Sequence, residues 1–293
     1  MISQKQHERV YSFEFFPPKT ADAADKLREV RHQLAQLNPR FFSVTFGAGG
    51  STRDRTLETV VEIQKAGLQA APHLSCIAAT RADLRELLRA YQQHGIRHIV
   101  ALRGDLPEGD IKPGELPYAR DLVEFIRAET GDHFHIEVAA YPEFHPDARD
   151  ATHDLQNFKR KVEAGADSAM TQYFYSADAY YRFVDSCEKM GVTLPIVPGI
   201  MPITNYTQLA RFSDRCGAEL PRWLRKRLEA FGDDAASLRA FGLDVVSGLC
   251  RELLAAGAPG LHFYTMNQAA PTIAIWNNLR LSENPAPSHQ VAR

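Results

Sequence analysis

The sequence lacks the features of a membrane protein and of a nucleic-acid-binding protein. No apolar run approaches the roughly 20 residues that a membrane-spanning helix requires, and the polar N-terminus MISQKQHERV does not resemble a signal peptide. The 34 Lys and Arg residues are balanced by 36 Asp and Glu residues and form no basic stripe. We therefore expect a cytoplasmic protein whose partners are small molecules, with no nucleic-acid partner and no membrane association.

Cysteine is scarce, and its spacing excludes the common metal and dithiol motifs. No C-x-x-C pair occurs, because the four cysteines lie far apart at Cys76, Cys187, Cys216 and Cys250. The histidines of the segment HFH, residues 133–135, and His145 have no carboxylate or thiolate at a ligand-like spacing. The sequence therefore predicts reduced thiols and no metal site.

The sequence does contain a repeated unit of helix, glycine and strand. In each copy an amphipathic segment ends at a glycine, which suits the left-handed conformation at a helix end, and a short buried strand follows. Six copies are KAGLQAAPHLSC, QHGIRHIVALRGD, ETGDHFHIEVAAYPE, EAGADSAMTQYF, KMGVTLPIVPGI and AAGAPGLHFYT. Together with VYSFEF and FFSVTF, they give eight predicted strands.

Apolar residues recur at helical spacing between these strands, as in DLRELLRAY at 83–91. Eight alternations of strand and helix predict an α/β fold, a (β/α)8 TIM barrel that occupies residues 1–293 as one domain. The segment 221–257 is longer than one helix needs, so we expect an extra helix before the last strand. A doubly wound dinucleotide-binding sheet is the main alternative, but FGAGGST has Thr52 where the third glycine of that fingerprint belongs.

Polar residues gather at the predicted carboxyl ends of the strands, where barrel enzymes place their active sites. Alternation along the first strand puts Ser12 and Glu14 on the inner face and Phe13 and Phe15 against the helices. The residues of this rim are Glu14, Thr45, His73, Arg103, Asp105, Tyr141, His145 and Gln172. Two acids among amides, phenols and imidazoles suit a flat heteroaromatic cofactor and proton transfer, although they do not identify the reaction.

Each of these residues also has a purely structural interpretation. Glu14 could form an ion pair with an arginine inside the barrel, and His73 could be a hydrogen-bonded core histidine. The basic segment 159–161, taken alone, would be a solvated helix face. The number of polar residues that meet at one rim favours the functional interpretation.

Nine segments resemble the methylenetetrahydrofolate reductase family and occur in its order. They are SFEFFPPK, VTFGAGGSTRDRT, AAPHLSC, GIRHIVALRGD, VAAYPEFHP, FKRKVEAGAD, TQYFY, PGIMPI and HFYTMN. The resemblance extends from about residue 11 to residue 281. It is to the short bacterial type, which implies one catalytic domain without the S-adenosylmethionine-binding regulatory domain of eukaryotic relatives.

The resemblance implies a flavoprotein oxidoreductase of one-carbon metabolism and methionine biosynthesis. It would reduce 5,10-methylenetetrahydrofolate to 5-methyltetrahydrofolate in a ping-pong cycle, in which NADH or NADPH reduces non-covalent FAD and leaves before the folate binds. By the same resemblance, Glu14 is the general acid that protonates N10 and opens the methylene bridge, and apolar walls are expected to raise its pKa. We also expect a homo-oligomer.

The resemblance further assigns residues to FAD and to the substrates. The implied FAD contacts are Thr45, Phe46, Ala48, His73, Arg103, Gly104, Asp105, Tyr118, Ala119, Tyr141, His145, Ala148, Asp154, Asn157, Arg160 and Lys161. The implied substrate contacts are Asp105, Gln172, Gln208, Phe212 and Gln268. Asp105 is also the implied second catalytic acid, beside flavin and pterin. The chain departs from many relatives in reading YTMNQ for YTLNR, so Gln268 stands where an arginine contacts folate.

Two other functions stay open at this point. A flavin-dependent barrel oxidoreductase with another substrate, such as a proline-dehydrogenase-like enzyme, would use the same fold and cofactor. A non-catalytic folate-binding or flavin-binding relative is disfavoured because Glu14 and Asp105 are both present. Oxidation of the reduced flavin by methylenetetrahydrofolate would separate the reductase from the first alternative.

Overall fold

The computed structural model describes residues 1–47, 52–104 and 114–283. Within these ranges the strands are β1 (Val10–Phe15), β2 (Phe41–Val44), β3 (Ala70–Ser75), β4 (His98–Leu102), β5 (His135–Ala140), β6 (Ser168–Thr171), β7 (Ile196–Val197), β8 (Gly199–Ile200) and β9 (Gly260–Tyr264). The α-helices are α1 (Ala21–Ala35), α2 (Arg53–Lys65), α3 (Arg81–Gln93), α4 (Ala119–Thr130), α5 (Ala151–Glu163), α6 (Ala177–Lys189), α7 (Tyr206–Cys216), α8 (Arg222–Ala230), α9 (Ala235–Ala256) and α10 (Ala270–Asn278). Strands and helices alternate as predicted, and the predicted extra helix is present, because both α8 and α9 precede β9.

The strands form one parallel sheet in the order β7-β6-β5-β4-β3-β2-β1-β9-β8. β7 and β8 are two parts of one broken strand, since β7 pairs with β6 while β8 pairs with β9. Pro198 separates them because proline has no N–H to donate, although its carbonyl accepts a 3.0 Å hydrogen bond from the His262 N–H. The broken strand joins the two edges of the sheet. The predicted barrel is therefore confirmed, with its seventh strand divided in two.

Local sequence explains where the helices begin and end. Before α3, Thr80 Oγ1 accepts a hydrogen bond from the Asp83 N–H, and the Asp83 carboxylate accepts one from the Thr80 N–H, both at 3.1 Å. This capping box starts the helix. Helix α9 ends at Gly257, whose φ of +103° lies in the left-handed region. Among the described helices, none combines the length and the apolar character needed to cross a membrane.

Alternation along the strands divides the apolar residues into an outer and an inner core. Phe13 faces outward as predicted, and its ring lies 5.8 Å from that of Phe42 and 6.1 Å from that of Trp276 in α10. The inner core is a small layer of Phe41, Ala71, Val100 and Met170. Because this layer is thin, the barrel interior also holds buried glutamates and histidines toward its two ends.

Candidate active site

A cavity of about 1000 Å³ opens at the carboxyl ends of the strands. Its volume is at the upper end of the range for small-molecule sites. Fourteen residues predicted to contact FAD line it, namely Thr45, Phe46, His73, Arg103, Gly104, Tyr118, Ala119, Tyr141, His145, Ala148, Asp154, Asn157, Arg160 and Lys161. The other two, Ala48 and Asp105, lie outside the described residues. The structure thus brings all the described positions together, while their contact with FAD stays a prediction.

The wall of the cavity between β3 and β4 requires glycine at position 104. Gly104 has a φ of +88°, in the left-handed region, and a Cβ built on it would lie 1.9 Å from Ser75 Oγ. That hydroxyl donates a 2.8 Å hydrogen bond to the Arg103 carbonyl oxygen, which fixes the end of β4. A side chain at position 104 would therefore disturb both the backbone and the cavity wall.

Two cations of helix α5 give the cavity a positive end. Arg160 donates a 2.9 Å hydrogen bond to the Asn157 side chain, and Lys161 donates one to the Ala139 carbonyl oxygen. Neither cation is ion-paired with a carboxylate of the described residues. Burial lowers the pKa of Lys161 to about 8, although the negative charge of Asp154 acts to raise it. A bound anion would therefore stabilise the charged form of this lysine.

These features fit the two chemical parts of a flavin dinucleotide. Phe46 and Tyr118 are among the aromatic side chains along the cavity, and such surfaces suit a flat ring system. Arg160 and Lys161 suit a diphosphate, because charge-assisted hydrogen bonds to phosphate oxygens are strong. The residues present therefore fit FAD.

Glu14 does not line the cavity but lies against two histidines. Its Oε2 is 3.2 Å from His73 Nε2 and 3.6 Å from His262 Nε2, and the residue is 9% exposed. His73 also lines the cavity. His262 is fully buried, with Nδ1 2.7 Å from Ser12 Oγ. Glu14 is thus connected to the cavity through His73.

The electrostatics of Glu14 differ from the expectation drawn from its sequence. Burial raises its pKa, but the charges and hydrogen bonds of His73 and His262 outweigh burial and lower the pKa to about 2. The expectation that apolar walls raise the pKa is therefore wrong. The alternative of an arginine partner is wrong as well, because the partners are imidazoles from β3 and β9.

Hydrogen bonds hold the chain on both sides of Glu14. Thr265 Oγ1 donates to the Glu14 carbonyl oxygen at 2.6 Å. The Phe16 N–H donates to Asn267 Oδ1, and the Asn267 side-chain amide donates to the Phe16 carbonyl oxygen, both at 2.9 Å. Because Pro17 restricts the next φ angle, these bonds fix the direction in which the chain leaves β1.

The described residues predicted to contact the substrates lie at the same end of the barrel but do not line the cavity. Gln172 follows β6, and its side-chain oxygen accepts a 3.0 Å hydrogen bond from the next main-chain N–H. Gln208 is exposed in the first turn of α7, and Phe212, one turn later, packs against the outer core. Gln268 is exposed after β9, and Asp105 lies outside the described residues. All five stay predictions as substrate contacts.

Sequence reasoning missed His262 and Asn267. His262 is opposite Ser12 in the register of β1 and β9, so alternation along β9 would have placed it inside the barrel. Asn267 carried no comparable signal, because it lies in a loop and has a φ of +55°. Its position depends on tertiary contacts with the chain that follows β1.

A second cluster of one glutamate and two histidines lies at the opposite, amino end of the barrel. His98 and His135 are the first residues of β4 and β5 and are paired in register. Burial raises the pKa of Glu137, but hydrogen bonds and charge from these two histidines outweigh burial and hold it well below its usual range. The sequence pattern predicts no carboxylate at a ligand-like spacing from the histidines of residues 133–135. That conclusion is wrong, because Glu137 shares a face of β5 with His135.

Comparisons with known proteins agree on one family. The sequence profile of the methylenetetrahydrofolate reductase family matches residues 1–280. The chain is 44% identical to a 5,10-methylenetetrahydrofolate reductase of Salmonella typhimurium, over 95% of this chain and 93% of the relative. It is 40% identical to a probable methylenetetrahydrofolate reductase (NADH) of Oryza sativa, over 94% of this chain and 48% of the relative.

A solved structure supports the fold independently of close sequence similarity. It is an uncharacterized protein from Clostridium thermocellum that binds two copies of 5-methyl-5,6,7,8-tetrahydrofolic acid. The two structures share a TM-score of 0.66 at 14% identity, with 96% of each chain covered. At this identity the likeness shows the fold alone.

Proposed function

The chain belongs to the methylenetetrahydrofolate reductase family, and from that premise we propose that it reduces 5,10-methylenetetrahydrofolate to 5-methyltetrahydrofolate, with non-covalent FAD and with NADH or NADPH. The observation that carries the proposal is the cavity, where all the described positions predicted for FAD converge. NADH in the name of the rice relative supports NADH as the donor. One catalytic domain, a homo-oligomer and a cytoplasmic location stay predictions.

The residues that would hold FAD divide by chemistry. Arg160 and Lys161 would bind the diphosphate, since neither has a carboxylate partner among the described residues. Gly104 lets the backbone at the end of β4 approach the ligand, as a Cβ there would meet Ser75 Oγ. Bound FAD would accept a hydride from the nicotinamide and pass it to the methylene carbon of the folate. In the proposed ping-pong cycle, the nicotinamide and the folate would bind against the flavin in turn.

Glu14 is the proposed general acid for the folate step. The methylene bridge opens only when N10 receives a proton, and a carboxyl group near the ligand can deliver one. Because the pKa of Glu14 is lowered to about 2, the carboxyl group is ionised near neutral pH and must take up a proton before it can act as the acid. His73 and His262 are within 3.6 Å of its carboxylate, and His73 faces the cavity. We therefore assign His73, which contacts both Glu14 and the cavity, as the group that passes a proton to Glu14, whereas His262 is fully buried.

The proposal is tested by the spectrum and the two half-reactions of the purified protein. We expect it to be yellow, with about one FAD per chain released on denaturation. Under anaerobic conditions NADH should bleach the flavin absorbance, and methylenetetrahydrofolate should restore it. Colourless protein that takes up no added FAD would overturn the cofactor assignment. Bleaching without recovery by the folate would instead indicate a flavin oxidoreductase with another substrate.

A further inference from the structure

The cluster at the amino end of the barrel has the composition of a metal site. Among the described residues, His98, His135 and Glu137 are a group whose potential ligand atoms all lie within 4.8 Å of one another. Two imidazoles and one carboxylate form a common ligand set for zinc and for other divalent transition metals. The three residues play no part in the proposed reductase chemistry, because the cavity lies at the other end of the barrel.

The spacing of these atoms suits a single metal ion. Glu137 Oε1 is 3.2 Å from His98 Nε2 and 3.6 Å from His135 Nε2. Zinc binds nitrogen and oxygen at about 2.0–2.2 Å, so tetrahedral ligands around it are roughly 3.3 Å apart. The two measured separations lie on either side of that value. The two imidazole nitrogens lie within 4.8 Å of each other, so the rings would have to move toward each other for all three atoms to reach bonding distance.

The carboxylate has unused capacity that points to a ligand. Glu137 is 4% exposed, and its Oε2 has no hydrogen-bond partner. A buried, unpartnered carboxylate oxygen costs free energy, and a cation bound at this carboxylate would offset that cost. The side chain of His135 is 45% exposed, so an ion can reach the group from solvent.

Neighbouring residues provide support of the kind found around metal sites. The carboxylate of Asp167 lies 3.9 Å from His135 Nδ1 and is held by Arg127 at 2.6 Å. Carboxylates near the second nitrogen of a ligating histidine orient the ring.

Three features oppose binding. A metal would replace the 3.2 Å hydrogen bond between His98 Nε2 and Glu137 Oε1 and the 2.6 Å hydrogen bond between His135 Nε2 and Ser168 Oγ. Arg40 also adds a positive charge near both rings.

We propose that His98, His135 and Glu137 bind one divalent transition metal ion of the zinc class. The ion would join the first residues of β4 to the first residues of β5. Its role would be to stabilise the amino end of the barrel. Residues at that end of a barrel generally serve stability, whereas the carboxyl end carries catalysis.

The test is a titration of the untagged, chelator-treated protein with Co²⁺ alone, followed by displacement with Zn²⁺. We expect one Co²⁺ per chain, visible ligand-field absorption, and loss of that absorption when Zn²⁺ is added. Zn²⁺ at 100 times its Kd should raise Tm by about 5 °C. His135→Gln and Glu137→Gln should each weaken Co²⁺ binding by at least about 100-fold.

Matched variants keep the result decisive. His133→Gln removes a nearby histidine outside the cluster and should leave binding unchanged. Ser168→Ala removes the competing hydroxyl and should leave binding equal or tighter. If Glu137→Gln does not fold, His135→Gln decides the question, since that side chain is partly exposed. Absence of Co²⁺ binding to the unaltered protein, or unchanged binding by His135→Gln, would overturn the proposal.

Discussion

Two glutamates lie inside the barrel, each flanked by two histidines, and their surroundings differ. At the carboxyl end, Glu14 reaches a cavity of about 1000 Å³ through His73, while its other partner is fully buried. At the amino end, Glu137 lies against His98 and against His135, whose side chain is 45% exposed. The first cluster adjoins a ligand-sized cavity, and the second faces solvent.

The difference shows that residue types alone do not assign a role. A carboxylate that reaches a cavity through one imidazole can exchange a proton with a bound molecule. A carboxylate whose imidazole reaches bulk water can instead share that imidazole with an ion from solution. We therefore assign proton delivery to the carboxyl-end cluster and metal binding to the amino-end cluster.

The largest difference is expected from the two glutamate-to-glutamine variants. Glu14→Gln should slow recovery of flavin absorbance by methylenetetrahydrofolate by roughly 10²–10⁴-fold, about 3–5 kcal/mol of barrier, because an amide cannot protonate N10. Bleaching by NADH needs no such proton and should be unchanged. Glu137→Gln, the matched control, should change neither phase. Stopped-flow absorbance measures both, and equal slowing of both phases by Glu14→Gln would make that residue structural.

Acid should remove the stabilising effect of both glutamates. A depressed pKa contributes stability above the unfolded value and loses it as pH falls through the folded value. For Glu14 the window runs from pH 4.5 down to about 2, with a contribution on the order of 3 kcal/mol. In urea unfolding across this window, the stability gap between the unaltered protein and Glu14→Gln should close as the pH falls. For Glu137→Gln, the difference in stability from the unaltered protein should also shrink as the pH falls. A stability difference that does not change with pH would contradict this prediction.

Glycine substitutions compare the constraint on the backbone at the two ends. Gly104→Ala should cost about 2–3 kcal/mol of unfolding free energy, because a left-handed φ and a Cβ 1.9 Å from Ser75 Oγ act together. Gly67→Ala, after α2 at the amino end, has a φ of +78° and open space around it, so it should cost about 1 kcal/mol. Urea denaturation measures both. Equal losses of unfolding free energy in the two variants would show that the Ser75 side chain moves away easily. The affinity for FAD should fall only in Gly104→Ala.

The smallest effect is expected from added charge on the surface of each end. Gln268→Arg introduces the arginine that the family resemblance implies at this position and should lower the KM for methylenetetrahydrofolate about ten-fold, ~1.4 kcal/mol, if an arginine there meets the folate carboxylates. Gln93→Arg adds the same charge at the exposed end of α3 and should leave KM unchanged. Steady-state kinetics decide, and an unchanged KM in Gln268→Arg would show that Gln268 faces away from the folate.

Much of the molecule was predictable because its signals are local. The recurring glycine and strand unit gave the barrel and its extra helix, and alternation placed Phe13 outside and Glu14 inside. The rim residues were found because parallel strands bring their carboxyl ends to one edge. The sequence shows Pro198, but it does not show that the seventh strand is divided there and pairs with a different neighbour on each side. Those pairing partners are set only when the barrel closes.

The sequence by itself determined the fold through its periodicity, and through its ordered motifs the family and fourteen of the residues that line the cavity, since periodicity and motifs are properties of the chain. Only the tertiary structure decided the electrostatics of the two glutamates. The partners of Glu14 come from β3 and β9, and His98 reaches Glu137 from a neighbouring strand. A pKa and a ligand set depend on distances of a few ångströms between side chains that are remote in sequence, and those distances exist only once the barrel has closed.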